Sequence, residues 1–204
     1  MSASGANANC CAALLAEAEP ALDPLRSGSA FPHARDGTFR SICQMAELYS
    51  IRGAKPEDQR GLTRLCVRAT VQAGYDEAFI DRAMPALTVT VPLITGGYVR
   101  VAEDEAGEAV GVVTVTPTAV PGIALLDGIF VDPPLWKRGV GRVLFEAAVT
   151  RAKELKAGAM MIYAEPSAEG FYKRMGAIRI GEGPFGYSPE LILPHLLYIV
   201  PRDA

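Results

Sequence analysis

Hydrophobic and polar positions recur along residues 49–200 with two alternating periods, and the switches between them divide the chain into strands and helices. Tyr49-Ser50-Ile51-Arg52 reads as a first strand. Pro56 follows at a helix start, where its missing N–H is no loss. Glu57 and Asp58 suit the positive end of that helix. Leu62, Leu65, Cys66 and Ala69 then form an apolar stripe. Asp76 is placed to cap a second helix, with Phe79, Ile80, Ala83 and Met84 facing inward until Pro85 interferes. The segment from Leu87 to Gly97 is ambiguous, being β-branched but interrupted by Pro92.

Residues 98–102 and 109–116 predict a hairpin, with 103–107 as its turn. Pro121-Gly122 turns the chain into a strand over 123–131. A helix follows from about Gly141 to Lys156. Leu144, Ala148, Ala152 and Leu155 lie on one face; Arg151, Lys153, Glu154 and Lys156 mostly face water, and Gly158 is the expected stop. The apolar run 159–164 is expected as a strand covered on both sides. Strand, helix and strand make a right-handed crossover, so these two strands lie parallel. Ser167 is placed to cap a short helix that stops at Gly176. Residues 178–181 predict a strand, Pro184-Phe185-Gly186 a loop, and 191–200 a last strand disturbed by Pro194. The sum is an α/β (mixed α+β) fold, with a mixed sheet of six to seven strands and helices on both faces.

Composition adds boundaries. Residues 1–44 are rich in Ala, Ser, Gly and Pro, and are expected to be a poorly ordered extension ahead of a domain over 45–204. They lack the basic start and continuous apolar core of a secretory signal. Met45 is a candidate natural start. Half of the 204 residues are apolar, enough for a sizeable core. A net charge of -3 without a basic block argues against nucleic acid as a partner. No continuous apolar run reaches the roughly 18 residues of a membrane span. The spacing of Cys10, Cys11, Cys43 and Cys66 fits no zinc pattern, which favours free thiols in a reducing cytoplasm. His33 and His195 lie far apart, so no metal is expected.

The chemistry concentrates in residues 125–144. An apolar strand runs into a proline-closed loop, and Arg138-Gly139-Val140-Gly141-Arg142 opens a helix. Amides at a helix start lack partners and sit at the positive end of the dipole. Glycines let a ligand approach the backbone. The product is an anion cradle suited to phosphate or pyrophosphate. It is neither a P-loop nor a dinucleotide fingerprint: no Gly-Lys-Ser/Thr run exists, and Leu144 stands where a third glycine is needed.

Trp136-Lys137-Arg138-Gly139-Val140-Gly141 resembles the pyrophosphate loop of the GCN5-related N-acetyltransferases (GNAT family), Gln/Arg-x-x-Gly-x-Gly/Ala. Ala168-Glu169-Gly170-Phe171-Tyr172-Lys173-Arg174-Met175-Gly176-Ala177 is similar to the family's later Ala-x-x-Phe-Tyr-x-x-x-Gly-Phe segment. The resemblance covers roughly residues 50–200. Trp136 stands where Gln or Arg is commoner, and Ser167 where an Asn often precedes the second motif. The resemblance implies a mostly antiparallel sheet whose central parallel pair splays to admit acetyl-CoA as cosubstrate. It implies an acyltransferase acting on an amine, either a small molecule or a protein amino group. Cofactor contacts would come from Phe130, Val131, Lys137, Arg138, Gly139, Val140, Gly141, Arg142, Ser167 and Phe171.

Acetyl transfer to an amine needs a base for the amine and an acid for the leaving thiolate. The resemblance places the Tyr172 hydroxyl beside the cofactor sulfur as that acid. Asp127, in an apolar strand, is the candidate base; Glu165 is the reserve, and water is a third possibility. Asp127 also reads as a strand carboxylate that points to solvent or pairs with a basic neighbour, and Tyr172 as a helix tyrosine with its tip in water. Trp136 reads as a loop anchor rather than a cofactor-facing ring, and His195 as structural. A non-catalytic CoA-binding regulatory module is the alternative from a different class. Oligomeric state, including a homodimer, stays open.

Overall fold

The computed structural model describes residues 48–185 and 188–202. The expected extension over 1–44, the start at Met45 and the loop residues Gly186 and Tyr187 lie outside the described residues.

Seven strands form one sheet: β1 (Ser50–Gly53), β2 (Val99–Glu103), β3 (Ala109–Pro117), β4 (Ile123–Val131), β5 (Ala159–Tyr163), β6 (Ile178–Phe185) and β7 (Ser188–Ile199). Their order across the sheet is β1-β2-β3-β4-β5-β7-β6. The central β4–β5 pair is parallel, and the pairs on either side of it are antiparallel. Among the described residues, five α-helices accompany the sheet: α1 (Gln59–Gln72), α2 (Glu77–Leu87), α3 (Val91–Thr95), α4 (Val140–Glu154) and α5 (Glu169–Arg174).

Each face of the sheet has its own core. On one face, Leu144, Phe145, Ala148 and Ala152 of α4 meet Ala102, Val113, Leu126, Met160 and Ile162 of the strands. On the other, Leu62, Leu65 and Cys66 of α1, with Ile80, Ala83 and Leu87 of α2, cover Val99, Val101 and Val112. The predicted apolar stripes are therefore the faces that pack. Asp76 caps α2 as expected, its carboxylate accepting the Phe79 N–H at 2.8 Å.

Several local expectations change. Pro85 does not end α2, which runs on to Leu87. A proline in the last turn forfeits one helical N–H, and burial of Leu87 behind it offsets that loss. The ambiguous segment contains α3, with Pro92 in its first turn, where proline is tolerated. Strands β6 and β7 both extend beyond their predicted limits, and Pro194 sits inside β7. Arg151 is not on a wet face: its guanidinium lies 5.4 Å from the Tyr98 ring centroid and bonds Glu154 at 2.8 Å. Glu77–Thr95 is apolar enough for a membrane span by length and composition. It is nevertheless broken between α2 and α3, and Ile80, Ala83, Leu87 and Ile94 pack into the core.

The stop of α4 also differs. Lys156, not Gly158, takes the left-handed conformation, at φ 58°. Its N–H reaches Lys153 O at 2.8 Å, and the Ala157 N–H reaches Ala152 O at 2.9 Å. That is the paired Schellman closure, which normally carries glycine at this place. Lys156→Gly is expected to stabilise the fold by about 0.5–1 kcal/mol, read as a higher urea midpoint at unchanged slope.

Candidate active site

The site begins where the parallel pair stops. Pairing runs from Ile123↔Ala159 to Leu126↔Ile162 and then ends, while β4 continues to Val131. The cause lies in β4 itself. Leu126 opposes Val115 and Gly128 opposes Thr114, so Asp127 is the extra residue of a β-bulge. A bulge bends its strand and increases the local twist, which carries the end of β4 away from β5. It also reverses the alternation. Ala124 and Leu126 face the α4 core, and after the bulge Ile129 and Val131 do. Phe130 turns to the α1–α2 core, and its ring lies so close over Gly128 that a Cβ there would meet it at 2.6 Å.

The Asp132 N–H bonds Val110 O at 2.9 Å. Ladder alternation then points the backbone of Phe130 at β3, and that of Ile129 and Val131 at the open gap. This narrows the expected backbone contacts: Phe130 contributes its ring on the other side, and Ile129 takes its place at the gap. The sequence hint was Asp127-Gly128 inside an apolar strand, since an interior glycine often marks a bulge. The Val131 carbonyl is already held by the Trp136 indole N–H at 2.8 Å, so Trp136 ties the loop to the strand end as an anchor.

The cradle follows at the start of α4. Lys137 at φ 64° and Gly139 at φ 92° curl the backbone into a concavity. Among the described residues, the N–H groups of Lys137, Gly139, Val140 and Gly141 have no backbone acceptor, whereas Arg138 N–H bonds Leu135 O at 3.2 Å and Arg142 N–H bonds Gly139 O at 2.9 Å. Four amides thus remain for an anion, and those of Arg138 and Arg142 are engaged within the loop. The Arg142 side chain pairs with Glu146 at 3.1 Å; Lys137 and Arg138 are exposed. A Cβ on Gly141 would lie 3.6 Å from the Phe171 ring, so Phe171 packs α5 against the cradle.

Tyr172 lies in the same layer, 7% exposed, with ring centroids 6.2 Å from Phe145 and 5.1 Å from Phe171. Its hydroxyl has no hydrogen-bond partner among the described residues, yet it is not one of the fully enclosed polar atoms. The tip therefore keeps a path to solvent. Burial pushes the phenol above its ordinary value.

On the α1–α2 side, Asp127 opens into a shallow cleft that is open to solvent. Cys66, Leu87, Val89, Leu93, Thr114 and Phe130 help to line it. Val89 is pinned there by its N–H to Thr63 Oγ1 at 3.1 Å. Solvent reaches the Asp127 surface, but dense protein around the carboxyl raises its pKa by desolvation. The access to water keeps that rise below what full burial would impose. The Cys66 thiol beside it is pushed up to about 12 by burial, so it stays a neutral wall.

Glu165 lies at the end of β5 and is held twice. It accepts Tyr75 Oη–H at 3.2 Å, and it caps the following turn by accepting the Ser167 N–H at 2.8 Å. The cap is therefore Glu165, with the Ser167 hydroxyl bonded to the same carboxylate, rather than Ser167 itself. Across the gap, Arg68 of α1 bonds Asp132 at 2.9 Å. The α1–α2 layer thus ties to the ends of both splayed strands. His195 is 5% exposed, edge-on to Tyr163 at 4.8 Å, and burial lowers its pKa. It packs as a neutral ring. Among the described residues, no three His, Cys, Asp or Glu side chains gather as a metal group.

The comparisons agree with this geometry. The family model described as Acetyltransferase (GNAT) family matches residues 73–177, just over half of the 204 residues. Ard1 from Thermoplasma volcanium superposes with a TM-score of 0.58 at 20% identity, over 76% of this chain and 99% of that one. yncA from Salmonella typhimurium, solved with its cofactor acetyl-CoA, gives 0.55 at 19% identity, over 76% and 96%. A GNAT family acetyltransferase from Brucella melitensis, in complex with acetyl-CoA, gives 0.51 at 18% identity, over 76% and 90%. No curated protein sequence matches significantly. At these identities the structural likenesses carry the fold, and the matched family model adds the lineage. With its seven-stranded sheet opened beside β4 and its matched span over the cradle and α5, this chain belongs to the GCN5-related N-acetyltransferase family.

Proposed function

We propose that the protein is an N-acetyltransferase that carries an acetyl group from acetyl-CoA to a primary amine by direct attack. The observation that carries this reading is the set of four unaccepted amides, from Lys137 to Gly141, at the mouth of the opened β4–β5 pair. They suit a pyrophosphate, and the edge at Ile129 and the Val131 N–H suits an amide-bearing arm laid alongside like an added strand. Two of the structural relatives named above were solved with acetyl-CoA.

In this reading the amine gives its proton to Asp127, directly or through water, and its nitrogen attacks the thioester carbon. A C–N bond forms and the C–S bond breaks. The thiolate takes a proton from Tyr172, and the extra proton on the acylated nitrogen leaves through water to restore the phenol. No enzyme nucleophile is needed. Glu165 is less suited to act as the base, because Tyr75 and Ser167 already occupy its oxygens.

The test is thiol release from acetyl-CoA with a mixed amine panel, with CoA binding measured separately by calorimetry. Turnover with at least one amine is expected. Tight CoA binding without turnover across the panel would replace this reading with a CoA-binding regulatory module. Gly139→Val is expected to weaken CoA binding at least about 10-fold in the same calorimetry, because a β-branched residue resists the left-handed backbone by roughly 1–2 kcal/mol and crowds the cradle.

A further inference from the structure

The cleft beneath α2 and α3 has a chemistry of its own. Its walls are Leu87, Val89, Leu93 and Phe130, and its polar groups include Thr114 and the Asp127 carboxylate. Among the described residues, no lysine, arginine or histidine lines it. Arg68 of α1 is already paired with Asp132 at 2.9 Å. The cleft is shallow and open to solvent, so a ligand stem would lie along its walls rather than fill an enclosed cavity. Asp127 has no hydrogen bond or ion pair to another described residue, so a ligand ammonium would be its first partner.

We propose that this cleft selects an amine carried on an apolar stem, and rejects acceptors that bear a carboxylate next to the amine. The inference rests on the acetyl-transfer reading above for its chemistry, but the selection itself is a property of binding. An ammonium entering the cleft pairs with Asp127 while its stem lies against the leucine, valine and phenylalanine walls. An α-carboxylate brought in with it meets no cation and stands near a second negative charge. A like charge set beside Asp127, with no cation to answer it, is unfavourable even where water reaches the carboxylate. A free amino acid is therefore disfavoured by charge. An alkylamine or aralkylamine fits, and so does the stem of a lysine side chain whose own backbone is neutral.

The experiment uses matched probes with the full chain. 2-Phenylethylamine, phenylalanine and phenylalaninamide differ at one position, and Nα-acetyl-lysine amide samples a lysine stem. Each is measured for thiol release from acetyl-CoA and, separately, for calorimetric binding to the protein saturated with CoA. The amine is expected to exceed phenylalanine by roughly 10²-fold or more in kcat/KM, with most of the loss recovered by the neutral amide. Equal use of phenylalanine and 2-phenylethylamine overturns the proposal, as does a failure of every stem amine to bind the CoA complex. Selective binding of the amines without any thiol release keeps the proposal and removes acetyl transfer. Preference for Nα-acetyl-lysine amide over the simple amines keeps the selection rule and assigns the stem to lysine. In Asp127→Asn the discrimination against phenylalanine is expected to shrink at least about 10-fold, because the repelling charge has gone. Unchanged discrimination in that variant also overturns the proposal.

Discussion

Tyr172→Phe is expected to slow turnover by roughly 10²-fold or more, while acetyl-CoA binds as before. The substitution removes one oxygen from a ring already packed against Phe145 and Phe171, so the layer keeps its shape. The oxygen has no structural partner to lose. What goes is a donor for the departing sulfur. Its raised pKa looks unhelpful at first, since a phenol above about 10 is a weaker acid than an ordinary thiol near 8.5. The interior corrects that comparison. Burial penalises a thiolate leaving into the Tyr172 layer as it penalises the phenolate, so both groups shift upward together and the donor keeps pace with the acceptor. Single-turnover thiol release and calorimetry separate the two effects. Undiminished turnover would remove Tyr172 from the mechanism.

Asp127→Asn is expected to lower kcat/KM by roughly 10²-fold or more, the usual contribution of a positioned base. The same change should raise stability near neutral pH. The native carboxyl binds its proton more tightly than the unfolded chain does, because desolvation raises its pKa. Native stability therefore falls as pH rises through the unfolded value of about 3.9, and the loss is complete once pH passes the higher folded value. The asparagine variant escapes that loss. Its melting temperature should exceed the wild type at pH 7, and the two should converge below about pH 4. Because solvent reaches the carboxylate, the gain should be small. A variant that is slower and also less stable at pH 7 would show that Asp127 supports the fold instead.

The two residues were legible to different degrees. Tyr172 follows Phe171 in a short motif, and a local motif survives in the sequence because its chemistry is set by neighbours along the chain. The cradle was legible for the same reason, down to the glycines at 139 and 141. Which amides it offers was not. Arg138 and Arg142 share the motif, yet their N–H groups are closed off by Leu135 O and Gly139 O. That depends on Lys137 turning left-handed, which nothing about a lysine announces. Lys156 repeats the lesson at the far end of α4, where Gly158 looked like the stop.

Asp127 shows the deeper limit. A carboxylate in an apolar strand stands out in the sequence, but its environment comes from four separate stretches. Cys66, Leu87, Thr114 and Phe130 meet around it only when α1, α2, β3 and β4 are packed together. The bulge that aims it is a register relation between β3 and β4, and no single strand contains that information.

The sequence by itself determined the elements, the alternation that makes a two-faced sheet, the parallel crossover and the position of the anion-binding loop. These follow from periodicity and turn chemistry, which act over a few residues. Only the tertiary structure decided where β4 leaves β5, which amides stay unpaired and which walls enclose Asp127. Those depend on contacts between segments tens of residues apart, where a one-residue shift in register turns every side chain to the other face.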